Sequence, residues 1–247
     1  MMIDVHCHLT DDLLFTNLKD VLEEALESGV VALVTSGLGY EDCLKTLEIS
    51  DNRRVYPSLG IMPYNLHGYD KVIELARKNR YKIVAIGEVG LDYSPWVDID
   101  REFQKKVFVE FIELARELDL PLVTHSRSAG KYVLEILLEN NVERVVMHAY
   151  DGSSSTVSRA VEKGYFFSIP PSIARSTQKQ KLVRKIPLEN LLLESDAPAL
   201  SPNPGEVNKP SNIKISAEWI SKLKSIPLDK VKETIMDNTL RIFEIKI

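Results

Sequence analysis

Near its start the chain reads Ile3-Asp4-Val5-His6-Cys7-His8, a short apolar run that carries two histidines at its end. Successive side chains of a β-strand point to opposite faces, so a strand here predicts Asp4, His6 and His8 on one face. Cys7 would then point away and pack against the core. Two imidazoles on one face at the end of a strand provide half of a transition-metal site. An isolated His-x-His is more often a pair of surface histidines, so the positions of the other histidines and carboxylates decide its meaning.

Outward from this stretch, apolar β-prone runs alternate with helical patterns along the whole chain. The predicted strands are Ile3–Cys7, Val30–Thr35, Val55–Gly60, Ile83–Val89, Pro121–His125, Arg144–His148, Tyr165–Ile169 and Leu191–Asp196. Helices are predicted at about 17–28, 40–49, 69–79, 101–118, 132–139, 154–163, 175–185, 215–224 and 228–243. Most strands are continuous apolar runs, as expected where both faces of a parallel sheet are buried. This pattern predicts an α/β protein, a single-domain (β/α)8 TIM-type barrel over residues 1–247, with an open doubly wound sheet as the runner-up.

The composition narrows the class of protein. A net charge of −5 argues against a generic electrostatic nucleic-acid binder, although an enzyme with a locally positive cleft stays possible. Neither a signal peptide nor an apolar run long enough to span a bilayer is visible. The two cysteines indicate no disulfide framework and fit a reducing compartment. We therefore expect a cytoplasmic protein without a membrane partner.

Metal-binding residue types gather at one predicted end of the barrel. In barrels of this kind the functional side chains lie at the carboxyl ends of the strands. The residues at those ends are His6, His8, Glu88, His125, His148 and Asp196. Each taken alone has a structural alternative, such as a core histidine at His125, a helix cap at Glu88 or a turn residue at Asp196. Because four of the five histidines share this end, the pattern favours a metal site.

At these residues the chain resembles the TatD-type metal-dependent deoxyribonucleases, a branch of the amidohydrolase superfamily. The resemblance extends from Asp4 to Phe243 and is carried by short motifs in the order of that family. The motifs are Asp4-x-His6-x-His8, Gly87-Glu88-Val89-Gly90-Leu91-Asp92, Pro121-Leu122-Val123-x-His125-x-Arg127, His148-Ala149-Tyr150-Asp151-Gly152, Glu194-Ser195-Asp196-x-Pro198, Asn208-x-Pro210-Ser211-Asn212 and Asn238-Thr239.

The resemblance implies a binuclear metal site and a set of residue roles. One divalent ion would be held by His6, His8 and Asp196, the other by His125 and His148, with Glu88 bridging them. Two ions roughly 3.5–4 Å apart can share a nucleophilic hydroxide and clamp the attacking and leaving oxygens of a phosphodiester. Asp196 would accept the proton of the nucleophilic water, so Asp196 and Glu88 are the catalytic candidates. Arg127, Tyr150 and Asn208 are the candidate substrate-binding residues, and a surface ion pair is the alternative for Arg127.

Two positions depart from the family pattern. After the third strand the family usually carries Gly-x-His-Pro, and here Met62 replaces the histidine, with His67, a few residues further on, as the candidate substitute. In the last loop Val207 replaces the usual arginine, and Lys209 could compensate in charge but not in bidentate geometry. We therefore expect this chain to hold a phosphodiester backbone less firmly than a typical relative.

The leading functional prediction is a divalent-metal-dependent phosphodiester hydrolase, a deoxyribonuclease that acts as an exonuclease on DNA ends. The alternative is a metal-dependent amide, lactone or ester hydrolase, because the same ligand order serves carbonyl chemistry in related barrels. A barrel that binds a ligand without catalysis is a third possibility. Four imidazoles favour Zn²⁺, Mn²⁺ or Co²⁺ on ligand softness, while carboxylates keep Mg²⁺ open.

Overall fold

Eight parallel strands form one sheet in the order of the chain in the computed structural model. The strands are β1 (Met2–Cys7), β2 (Val30–Leu38), β3 (Val55–Gly60), β4 (Ala85–Gly90), β5 (Leu122–His125), β6 (Val145–Met147), β7 (Phe166–Ile169) and β8 (Leu191–Leu193). The structure describes residues 1–153 and 156–247, together with the bounds of the helix that includes residues 154 and 155. Nearly every strand residue is buried, because helices cover the outside of the sheet and side chains fill its inside. The predicted (β/α)8 barrel is confirmed.

Helices connect the strands and cover the barrel. They are α1 (Asp12–Phe15), α2 (Leu18–Glu27), α3 (Tyr40–Ile49), α4 (Tyr69–Lys78), α5 (Arg101–Glu117), α6 (Gly130–Glu139), α7 (Ser154–Glu162), α8 (Thr177–Lys185), α9 (Ile213–Lys224) and α10 (Leu228–Phe243). In α5 the Asp100 carboxylate accepts a 2.9 Å hydrogen bond from the Phe103 N–H and caps the first turn. Val107, Phe111 and Leu114, at helical spacing, are buried against the sheet. Each such side chain contributes about 1.5–3 kcal/mol through burial.

The ends of several elements differ from the predicted ones. Strand β8 ends at Leu193, so Asp196 lies in the segment beyond the strand and not at its last residue. Strand β4 begins at Ala85, because the Ile83 N–H still bonds to the Asn79 carbonyl of the preceding turn. The short helix α1 was not predicted, since four residues carry no readable periodicity. In the described part of the chain no helix is long and apolar enough to cross a membrane.

The amino end of the barrel interior is filled by apolar side chains. One cluster contains residues from all of the strands: Ile3, Val5, Ala32, Val34, Tyr56, Ala85, Val123, Val146, Phe166 and Leu192. Side chains from so many strands can meet only inside the barrel. Ile242, Phe243 and Ile245 join this cluster, and the Tyr56 hydroxyl donates to the Lys246 carbonyl at 2.5 Å. The end of α10 and the residues after it therefore close the amino end.

The seam between β1 and β8 is closed by a few local hydrogen bonds. Each strand is hydrogen-bonded to the next one along the chain, but in the described residues no ladder of hydrogen bonds joins β8 to β1. Just beyond β8, the Asp196 N–H donates to the His6 carbonyl at 2.9 Å, and the His8 N–H donates to the Ala197 carbonyl at 2.9 Å. These bonds hold three predicted metal ligands together at the point where the barrel closes.

Asp4 completes the seam and does not share the face predicted for it. Ile3 and Val5 face the barrel interior, so Asp4 between them turns toward the seam. Its carboxylate accepts hydrogen bonds from the Ser195 N–H at 2.8 Å and the Ser195 hydroxyl at 2.5 Å. The pairing of β1 with β2 shifts register between Asp4 and Cys7, and such an irregularity interrupts strict alternation. His6 can therefore return to the interior immediately after Val5.

Candidate metal centre

The six predicted ligands surround one cavity at the carboxyl ends of the strands. The cavity has a volume of about 420 Å³, and its wall includes His8, Glu88, His125, His148 and Asp196. His6 is fully buried beneath it. Each of the six residues is less than one-tenth exposed. Such burial is unusual for a carboxylate that has no partner, and two of the six residues are carboxylates. The structure therefore brings together residues that lie as far apart in sequence as β1 and the segment after β8.

Glu88 lies between two pairs of histidines. Its Oε2 atom is 3.2 Å from His6 Nε2 and 3.6 Å from His8 Nε2. Its Oε1 atom is 2.5 Å from His125 Nδ1 and 3.6 Å from His148 Nε2. One carboxylate thus presents a different oxygen to each pair, which is the arrangement that a bridging ligand requires.

Glycines let the backbone bring Glu88 to this position. A Cβ at Gly60 would lie 2.3 Å from the Glu88 carbonyl oxygen, and a Cβ at Gly90 would lie 2.1 Å from the His125 carbonyl oxygen. Both distances are far below van der Waals contact, so any side chain at either position would push β3, β4 and β5 apart. A Cβ at Gly87 would lie 2.7 Å from the Val123 carbonyl oxygen, so both glycines of the Gly-Glu-Val-Gly motif, like Gly60, are explained by close backbone packing beside the ligands.

Ser36 at the end of β2 orients the two histidines of β1. His8 Nδ1 is 3.0 Å from the Ser36 carbonyl oxygen, an acceptor, so Nδ1 carries the hydrogen. His6 Nδ1 is 3.2 Å from the Ser36 hydroxyl. In both rings these bonds leave Nε2 facing Glu88 and Asp196.

Two further carboxylates support the remaining histidines. The Glu194 carboxylate is 2.6 Å from His148 Nδ1 and also accepts from the Ser168 hydroxyl and the Ala149 N–H. The Asp92 carboxylate is 3.1 Å from His125 Nε2. A carboxylate behind a histidine is a common way to fix the ring of a metal ligand. Neither was among the predicted site residues, although Asp92 lies four residues after Glu88, and Glu194 two before Asp196, within the quoted motifs.

The donor set fits a divalent cation. His6 Nε2 is buried and has no hydrogen-bond partner among the described residues, although two carboxylates lie close to it. Two groups of three residues, His6 with His8 and Glu88 and His6 with His148 and Asp196, have ligand atoms within 4.8 Å of one another. An imidazole nitrogen without a hydrogen-bond partner, close to two carboxylate oxygens, is a donor set that suits a divalent cation.

The electrostatic field of the site attracts positive charge. Burial alone would lower the pKa of His148, but Glu194, Glu88 and Asp196 outweigh it and raise this pKa to about 10. In the same way Asp196, followed by Glu88, outweighs burial and raises the pKa of His8 to about 9. Burial would raise the pKa of Glu88, yet the histidines lower it well below its usual range. A field that retains protons on imidazoles also favours a bound cation.

Cationic and aromatic side chains form the outer wall of the cavity. Arg127, Lys179 and Tyr64 line it, together with the apolar Met62. Lys179 on α8 is half-buried, and its ammonium donates to the Ala149 carbonyl at 3.1 Å. Lys179 and Tyr64 were not predicted, because they reach the cavity through helix and loop positions that no strand-end rule identifies. Arg127 is at the cavity, as expected from its place just after β5.

Several other predicted residues lie away from the cavity. The Tyr150 side chain is buried, and its hydroxyl lies 2.7 Å from the Thr156 hydroxyl. Asn208 is buried and donates to the Ser195 carbonyl at 2.7 Å, so it supports the segment that carries Asp196. Val207 and Lys209 face a separate groove beside α2, where Lys209 pairs with Glu24 at 2.6 Å.

The two substituted positions of the family pattern are thus not equivalent. Met62 lines the cavity, so the missing imidazole is a change in the cavity wall. Val207 lines a separate groove, so the missing arginine is not a change in the cavity wall. His67 is exposed and is not one of the residues that line the cavity.

Fold and site together define a metal-dependent hydrolase built on a (β/α)8 barrel. Residues 3–244 match the family model described as TatD related DNase. This chain belongs to the TatD-related DNase family, as its motifs suggested.

Similar proteins agree over nearly the whole chain. The human protein named deoxyribonuclease TATDN3 is 40% identical over 258 residues, which cover 98% of this chain and 94% of that protein. An uncharacterized metal-dependent hydrolase of Methanocaldococcus jannaschii is 35% identical over 246 residues, covering 98% and 96%. The crystal structure of the TatD homologue YJJV of Escherichia coli superposes with a TM-score of 0.92 at 27% identity, covering 99% of this chain and 98% of that one.

Proposed function

We propose that this protein hydrolyses phosphodiester bonds at DNA ends, with two divalent ions as its cofactor. One ion would be held by His6, His8 and Asp196, and the other by His125 and His148, with Glu88 between them. When bound, such ions neutralise charge on the phosphate and lower the pKa of the attacking water. The observation that carries the proposal is the position of Glu88, whose two carboxylate oxygens face different histidine pairs.

Asp196 has the properties of the proton acceptor. The histidines around it, His148 first, outweigh the effect of burial and lower its pKa, so the carboxylate is ionised near neutral pH. Its Oδ1 atom lies 3.3 Å from His8 Nε2 and 3.6 Å from His6 Nε2. The closest approach to each of these histidines and to His148 is through Oδ1, and in the described part of the chain no hydrogen bond to Oδ2 is found. That oxygen is therefore available to accept the proton of the water that attacks the phosphorus.

Arg127 and Lys179 would bind the substrate phosphate from the cavity wall. Arg127 is exposed, and its guanidinium has no salt-bridge partner among the described residues. Lys179 uses one of its three donors on the Ala149 carbonyl. Two cations beside a carboxylate-rich centre provide charge-assisted hydrogen bonds for a phosphodiester, which a neutral lactone or amide does not need.

The proposal is tested by stripping the protein with a chelator and restoring Zn²⁺, Mn²⁺, Co²⁺ or Mg²⁺ separately. Labelled single-stranded and duplex DNA, and a panel of lactones and carboxylic esters, are then incubated with each sample. We expect stripped protein to be inactive and restored protein to shorten DNA stepwise from an end. Hydrolysis confined to the lactone panel would support the carbonyl hydrolase, and metal binding without any turnover would support a binding protein.

The number of ions is tested separately by calorimetric titration. We expect at least two equivalents in the parent protein. His6→Ala and His125→Ala should each lower the stoichiometry, because they are assigned to different ions. A single binding site that responds to only one of the two substitutions contradicts the binuclear arrangement.

A further inference from the structure

Two large aromatic side chains lie together at the mouth of the cavity. Tyr64 comes from the loop after β3 and Trp96 from the loop after β4, and their ring centroids are 5.3 Å apart at an interplanar angle of 55°. Tyr64 is 39% exposed and Trp96 is 59% exposed. Neither belongs to the apolar clusters that stabilise the barrel. Their exposed surface therefore does little for folding and is available to a ligand.

The aromatic pair is continuous with the catalytic cavity. Tyr64 is part of the cavity wall, as are Arg127 and Lys179. Burial, followed by the charge of Glu88, raises the pKa of the Tyr64 phenol, so its hydroxyl stays neutral. Because Tyr64, Arg127 and Lys179 line the same cavity, a ligand whose phosphate lies at the centre would have two cations and the aromatic pair around it.

We propose that Tyr64 and Trp96 form a stacking site for the unpaired nucleobase next to the scissile phosphate. This assignment rests on the function proposed above and adds the chemical class of its substrate, a single-stranded nucleic-acid end. A nucleotide has an anionic phosphate and a flat aromatic base. Arg127 and Lys179 match the phosphate, and the Tyr64–Trp96 pair matches the base. Every base has a π-face, so such a site accepts any base sequence, whereas a base held inside a duplex has its faces covered by its neighbours.

The test compares substrates that differ only in the terminal base. Parent protein and the variants Tyr64→Ala, Tyr64→Phe and Trp96→Ala are assayed on a single-stranded oligonucleotide and on the same strand with an abasic residue at its end. Tyr81→Ala is the matched control, because Tyr81 is 99% exposed on the turn after α4, at the opposite end of the barrel. DNA and RNA strands are compared in parallel arms.

We expect Tyr64→Ala and Trp96→Ala to lower kcat/KM on the intact strand about five- to a hundredfold, the range of one lost base–aromatic stack. On the abasic strand these variants should equal the parent, and Tyr64→Phe, which keeps the ring, should retain most of the activity. An equal loss on both strands would mean that the rings only support the cavity wall, and would overturn the stacking site. Retained activity of both alanine variants on the intact strand would overturn it as well.

A binding measurement separates this proposal from the function on which it rests. In a Trp219→Phe background Trp96 is the remaining tryptophan, because the chain has two. Glu88→Gln is added to prevent hydrolysis. We expect a single-stranded oligonucleotide to quench the fluorescence of Trp96, and an abasic end to remove the quenching. If no phosphodiester is hydrolysed by parent protein but quenching persists, the stacking site survives and the proposed reaction fails. Hydrolysis without base-dependent quenching overturns the stacking site alone.

Discussion

The same strands fill the barrel interior with apolar side chains at their amino ends and with charged ones at their carboxyl ends. On β5, Val123 belongs to the apolar cluster and His125 contacts Glu88 in the candidate metal centre. Val146 of β6 and His148 just beyond it repeat this change. Because the two residues of each pair are two positions apart, strand alternation points both into the barrel. A single structural rule therefore provides both a hydrophobic core and the candidate metal centre.

The two ends differ in what they contribute to stability. Burial of apolar side chains at the amino end is favourable by about 25 cal/mol per Å². Burial of carboxylates and imidazoles at the carboxyl end is costly unless they are paired or bound to a cation. We therefore expect substitutions at one end to change mainly the free energy of unfolding, and substitutions at the other to change mainly turnover.

The largest effect is expected from Glu88→Gln and Asp196→Asn at the charged end. Both should reduce turnover by roughly a thousandfold or more, since a metal centre supplies several kcal/mol of transition-state stabilisation. The melting temperature should stay close to that of the parent or rise. Steady-state kinetics and thermal melting measure the two quantities, with Glu139→Gln on the exposed surface as control. Full activity in both variants would refute the site assignment.

At the apolar end, Phe243→Ala should destabilise the fold by about 3–5 kcal/mol, because Phe243 is 4% exposed and its removal leaves a cavity. Turnover per folded molecule should be unchanged. Urea unfolding gives the free energy, and Phe15→Ala is a matched control since Phe15 is 43% exposed. A loss of turnover in fully folded Phe243→Ala would show that the two ends are coupled.

Within the charged end, Glu194→Gln tests the carboxylate that supports His148. Without the carboxylate at His148 Nδ1, metal affinity should fall about ten- to a hundredfold. Ser168→Ala removes one hydrogen bond to the same carboxylate and should have a smaller effect. Competitive metal titration measures both variants. Equal affinities in Glu194→Gln and parent protein would show that Glu194 does not position His148.

The smallest effect is expected at Asp51, before β3 at the amino end. Its carboxylate accepts from the N–H groups of Arg53, Arg54 and Val55, which outweigh burial and lower its pKa below the usual 3.8. A lowered folded pKa means that this stabilisation is present above 3.8 and is lost as the pH falls through the folded value. Asp51→Ala should therefore cost about 1 kcal/mol at pH 7 and less as the pH falls below 3.8. Urea unfolding across this range, with Asp98→Ala as control, measures the difference; a constant difference would contradict the role of the charge.

The barrel and the ligand cluster were predictable from sequence because both follow from strand periodicity. His125 and His148 lie where strands end, and that rule needs no knowledge of loops. Trp96 was missed because its position depends on loop conformation, which has no period, and Lys179 because it reaches the cavity from helix α8 and not from a strand end. The direction of Asp4 was wrong because a register shift in β1 leaves no trace in the residue types. Whether Tyr150 and Asn208 contact substrate stays a prediction, and the structure places them behind the cavity wall.

The seam at Asp4 and Ser195 has a consequence for the time course of folding. The two residues are 191 positions apart, and the same closure brings His6 and His8 to Asp196. Contacts between such distant segments form slowly, because the intervening chain must first be ordered. Strand and helix signals should therefore recover before metal affinity when the unfolded chain is allowed to refold. An ion that binds only the closed barrel would then act as a latch, since it stabilises the last step of folding and none of the earlier ones.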